Sequence, residues 1–228
     1  MESTKPRATQ LVDFILGTTP IVAYFGLVLM ILFELPRTPL NYATMSVAAM
    51  PGTYLVFGIH ELGHHVVAED YCGIREVYFS TLKDTLLPTL LTLSLATGLV
   101  LVETFTSIQI PFWIYLLGLV SPGAVIMKGQ SKRASCSDEV ALAGIMLGGL
   151  PGLLLWWGTD IGIPTLAMDL PTFALSIAMF LSLGLTIFNA LPLPGLDGNH
   201  VLSVGDPDTV LPMVLYIGLC FAGIVTLV

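Results

Sequence analysis

Tyr54-Leu-Val-Phe-Gly-Ile-His60-Glu61-Leu62-Gly63-His64-His65-Val-Val-Ala68 sets four ionisable side chains inside an apolar run. The run reaches back to about Tyr42, which is long enough for a helix crossing a bilayer, a task needing about 20 residues. Ionisable groups at that depth are costly, and they are functional candidates by default. Residues i and i+4 of a helix share a face, so the imidazoles of His60 and His64 can hold one ion. Glu61, next to the first ligand, can accept a proton from water at that ion. Zinc used in this way takes three protein ligands and keeps one position open. Glu69 is the first charge after the motif, about 12 Å beyond Glu61 along a helix. The site is therefore expected inside the hydrocarbon region, near one edge.

The rest of the chain fits this setting. Of 228 residues, 55% are apolar and only 11% charged, with mean hydropathy +0.88. Soluble domains carry about a quarter charged residues. Further apolar runs cover 11–35, 86–102, 110–127, 140–157, 171–191 and 210–228. The first is too long for the core of a signal peptide and reads as a retained span. No repeat or low-complexity linker divides the chain, so one membrane domain over 1–228 is expected, with its core at about 42–200. A formal net charge of −8 argues against nucleic acid as a partner. Cys72, Cys136 and Cys220 lie far apart without a CxxC pair, and read as small apolar residues, neither a disulfide framework nor a thiolate metal site.

Basic residues set the orientation. Lys5 and Arg7 place the N-terminus in the cytoplasm, and Lys128, Lys132 and Arg133 place the 128–138 loop there too. Both 86–102 and 110–127 must then cross. The expected fold is an all-α polytopic membrane protein of about six to seven transmembrane helices, seven being the number that satisfies the charges. It brings the ends of 42–68 and 171–191 to the same cytoplasmic side. Five spans, with 86–127 as a re-entrant hairpin, would meet the same parity.

A second constellation follows at the end of the sixth run, Asn189-Ala-Leu-Pro192-Leu-Pro194-Gly-Leu196-Asp197-Gly198. Two prolines two residues apart cannot continue a helix, so the chain must open. Such backbone at membrane depth is tolerated only where protein or a cavity satisfies it. Asp197 at the end of the break is suited to reach a metal, and equally suits a solvated loop.

Together the two motifs resemble the site-2 protease family of intramembrane zinc metalloproteases, which pairs HExxH on one membrane helix with NxxPxPxxDG on a later one. The match falls on His60, Glu61, His64, Asn189, Pro192, Pro194, Asp197 and Gly198, and the parallel spans roughly residues 50–200. The resemblance implies one Zn2+ per chain held by His60, His64 and Asp197, with Glu61 as catalytic base. It also implies that Asn189 holds substrate or water. The substrate would be a transmembrane segment of another protein, cut within a lipid bilayer near the cytoplasmic side of the cell membrane. Ser121-Pro-Gly-Ala-Val-Ile-Met-Lys-Gly129 looks like the family's glycine-bearing strand, which could pair with an extended substrate. It reads equally as a Pro-Gly break in a span. One departure stands out: where the family carries a GPxxN-like pattern, this chain has Ala143-Gly144-Ile-Met-Leu-Gly148.

His65 points about 140° away from His60 on a helix and is not expected to bind the ion. His200, three residues after Asp197, could back up the metal or orient the carboxylate. The rival function is a non-catalytic binder or an ion or proton transporter using the same buried His, Glu and Asp cluster. A metalloprotease lineage with Glu as third ligand is disfavoured, because no suitable downstream Glu motif exists.

Overall fold

The computed structural model describes residues 7–33, 35–36, 38–74, 76–79, 125–128, 136–193, 196–204 and 206–227, with scattered helical positions between 87 and 106. The elements are α1 (Arg7–Leu32), α2 (Pro39–Val66), β1 (Glu76–Phe79), β2 (Val125–Lys128), α3 (Cys136–Gly158), α4 (Leu170–Asn189), α5 (Asp197–Val204) and α6 (Pro207–Leu227). A π-helical turn, Val67–Tyr71, continues α2. Stretches 9–31, 136–158, 170–189 and 207–227 are long and apolar enough to cross a membrane, as in an integral membrane protein. Among the described residues these are four, where six to seven are expected of the whole chain. Of the missing segments, 86–102 is described only at scattered helical positions, and 110–127 lies outside the described residues except at its end. That end is strand: Val125–Lys128 pairs antiparallel with Glu76–Phe79, Glu76 opposite Lys128.

The remaining shortfall is α2. At 28 residues it is long enough, but it is not among the four apolar helices, because its polar side chains dilute its apolar content. Its position explains how these are tolerated. α2 packs against α1, α3 and α4, which bury Thr53, His60, Glu61 and His64. Caps fix where the helices begin. Thr38 Oγ1 accepts from Asn41 N–H at 3.2 Å, just before Pro39, and Asp169 Oδ1 accepts from Thr172 N–H at 2.9 Å. Hydrogen bonds from Thr172 hold the exposed Asp169 carboxyl below its ordinary value. The principal core joins α1, α2 and α4 through Tyr24, Phe25, Val56, Phe57, Ile177 and Leu181.

Two local devices bring backbones close. Gly63 of α2 faces α3 so tightly that a Cβ there would lie 2.7 Å from the Ala143 carbonyl oxygen. Pro151 interrupts the hydrogen bonding of α3. One turn around it, Ser182 Oγ of α4 accepts from Gly152 N–H at 2.8 Å and donates to Gly148 O at 2.6 Å. A neighbouring hydroxyl thus satisfies the opened backbone, as a membrane helix requires.

The cysteine reading is corrected here. Cys72 and Cys136 form a disulfide, with Cα atoms 5.9 Å apart. Linear spacing gave no sign of it, because the pairing depends on the π turn meeting the start of α3. Cys220 alone remains a free, buried cysteine.

Candidate metal centre

The α2 helix carries His60, Glu61 and His64 on its C-terminal part, all buried. The two imidazoles are neighbours by helical spacing, their ring centroids 4.6 Å apart. Each ring is oriented from α3. His60 Nδ1 lies 2.8 Å from Gly144 O, and His64 Nδ1 lies 2.9 Å from Val140 O. A carbonyl can only accept, so both Nδ1 atoms carry the hydrogen and donate. That assignment leaves both Nε2 atoms with exposed lone pairs when the rings are neutral.

Those Nε2 atoms lie 3.1 Å apart. Asp197 Oδ2 faces both, at 3.4 Å from His60 Nε2 and 3.3 Å from His64 Nε2. The oxygen is buried without a hydrogen-bond partner. Three electron-pair donors thus converge on one point. A proton could bridge one pair of them, whereas a cation satisfies all three. Four-coordinate zinc with bonds of about 2.0–2.1 Å places neighbouring ligand atoms about 3.3–3.4 Å apart. The observed triangle matches that spacing, and the donor set of two imidazoles and a carboxylate suits a divalent ion. His60, His64 and Asp197 therefore form a group able to hold a metal ion. The backbone carbonyls are the outer partners that fix ligand tautomers in such sites.

Asp197 reaches this point because the chain breaks after α4. Asn189 ends that helix, Leu193 N–H turns back to Leu191 O at 2.8 Å, and Asp197 opens α5. Gly198 lies against the Ala190 backbone, where a Cβ would overlap the carbonyl. The glycine after Asp197 therefore lets α5 fold onto the end of α4. The expected opening of the chain at Pro192 is present. Asn189 is buried, its Nδ2 3.4 Å from His60 Nε2, so it borders the same space.

His65 does not join the cluster. Its Nδ1 pairs with Glu69 Oε2 at 3.3 Å. His200 is exposed. Sequence reasoning passed over Gly144 and Gly148, treating them only as a departure. A Cβ on Gly144 would overlap the His64 ring, and one on Gly148 would lie 2.9 Å from His60 Nδ1. The signal was available: glycines four apart on one helix mirror histidines four apart on another, each pair rising by one turn. No protein-family model, curated protein or solved structure matches this chain.

Proposed function

We propose that this chain is an intramembrane zinc metalloprotease of the site-2 protease type, hydrolysing a peptide bond in or near a transmembrane segment of another protein. The observation that carries the reading is the convergence of His60, His64 and Asp197 from two segments more than a hundred residues apart, buried within a bundle of apolar helices. Zinc in that site would supply Lewis-acid chemistry, polarising a carbonyl and acidifying water. Glu61 takes the proton from the attacking water and delivers it to the departing amine. Asn189 donates its amide hydrogens to the substrate carbonyl oxygen as charge builds there. A helical peptide bond is shielded by its own hydrogen bonds, so the substrate must enter unwound. The basic residues at 128–133 support a location of the site near the cytoplasmic side of the cell membrane.

The test is zinc content per chain in detergent-purified protein, for wild type, Asp197→Ala and Glu61→Gln. The reading expects about one zinc in wild type, clear loss in Asp197→Ala, and retained zinc without cleavage of a membrane substrate in Glu61→Gln. Full cleavage by Glu61→Gln would overturn the proton route. A metal-free wild type would favour a non-catalytic binder or transporter.

A further inference from the structure

The disulfide joins the continuation of the helix that carries His60 and His64 to α3, whose carbonyls orient both imidazoles. Cys72 follows the π turn that continues α2, and its N–H bonds to Val67 O at 2.9 Å. The chain then leaves through Gly73 at φ 65°, a conformation that favours glycine. Cys136 is the first residue of α3, one turn before Val140. Both cysteines are buried in a small cluster with Ala68, Ile74 and Val140. Val140 is the residue whose carbonyl accepts from His64 Nδ1. One covalent link therefore holds a ligand-bearing helix to the helix that orients the ligand.

We propose that Cys72–Cys136 is a redox-controlled clamp on the metal centre. The inference rests on the reading of His60, His64 and Asp197 as a zinc site at the cytoplasmic side. Lys128, Lys132 and Arg133 immediately precede Cys136 in the sequence and favour that side. Cytoplasmic thiol pools keep most cysteines reduced, and disulfides there are characteristically transient and redox-sensing. The chemistry is thiol–disulfide exchange with a small-molecule or protein disulfide. One cysteine thiolate attacks that disulfide and releases one thiol. The second cysteine thiolate then displaces the other, forming the Cys72–Cys136 bond. Two electrons pass to the partner, which takes up the two protons as its thiols. Reduction by a dithiol runs the same steps backward. Because the sulfurs are buried, exchange proceeds through local opening of the π turn, a short segment at the end of its helix. With the bond cut, Val140 and His64 are no longer tied through their own backbones, and zinc is held less tightly. Outer partners of metal ligands carry about 10–100-fold in affinity.

The test uses the full chain in detergent with Cys220→Ser, so that only this pair titrates. Zinc retention against a competing chelator is measured in the oxidised protein, after phosphine reduction, and after reoxidation with oxidised glutathione. Free thiols are counted at each stage. Reduction is expected to weaken retention about tenfold, reoxidation to restore it, and Cys72→Ser/Cys136→Ser to stay at the weak level in all three states. Equal retention in both redox states overturns the clamp and leaves the metal centre standing. Zinc rising above about one per chain on reduction also overturns it, in favour of a thiolate site that recruits Glu139, whose Oε2 lies 3.7 Å from Cys136 Sγ. Absence of zinc from the oxidised protein would remove the zinc reading and the clamp together.

Discussion

Gly144 of α3 packs so closely on the His64 imidazole that no side chain could occupy its position. The same residue offers its carbonyl oxygen to His60 Nδ1 at 2.8 Å. One glycine therefore makes room for one imidazole and orients the other. The departure from the family pattern at 143–148 is, in this fold, a surface shaped for two imidazoles.

Gly144→Ala is expected to displace the His64 ring and lower zinc affinity about 10–100-fold, the range for lost outer support of a ligand. Gly158→Ala, on the same helix but with open space around it, should leave affinity unchanged. Chelator competition on the two purified variants checks this. Equal affinities would show that α3 does not define the ligand geometry.

Ser182→Ala removes the hydroxyl that bridges Gly152 N–H and Gly148 O beside Pro151. Buried groups left unsatisfied cost about 1–3 kcal/mol. Thermal unfolding in detergent should show a clear drop, while Ser182→Thr, which keeps the hydroxyl, should recover part of it. Unchanged stability in the alanine variant would mean that the α3 break is satisfied without α4.

Asn189→Leu tests whether the amide acts on substrate or only fills space. Nδ2 sits 3.4 Å from His60 Nε2, too long to fix that ring. Zinc content should stay at the wild-type level while cleavage falls about 10²–10³-fold, the loss typical of a missing oxyanion donor. Loss of zinc instead would assign Asn189 to the metal.

His65→Ala and His200→Ala should both retain zinc. The first loses the contact of a partly buried ring to the exposed Glu69 at 3.3 Å, and the second loses an exposed ring. Exposed pairs of this kind contribute about 0–1 kcal/mol. Zinc loss in either variant would require a fourth protein ligand and close the position that hydrolysis needs.

Acidification should release zinc from the wild type, because protons compete for both Nε2 atoms and for the carboxylate. Stability is then expected to fall together with zinc content, since an ion bound only by the folded chain stabilises it by mass action. Zinc analysis and thermal unfolding on the same samples across a pH series would reveal whether the two move together.

The sequence by itself determined the helix that carries both imidazoles, the break after Asn189 and the membrane setting. Each follows from a local rule. Histidines four apart share a helical face, paired prolines end a helix, and long apolar runs seek lipid. Helix positions were legible for the same reason: 140–157 became α3 at Cys136–Gly158, and 171–191 became α4 at Leu170–Asn189. What α2 packs against was decided only by tertiary structure. Its polar content excludes it from the apolar helices, yet three neighbours bury His60, Glu61 and His64. The Cys72–Cys136 bond, the carbonyls of Val140 and Gly144, and the Ser182 bridge join residues 30 to 84 positions apart. No spacing rule reaches that far, because such contacts depend on how closely two helices approach, and here glycines set that distance.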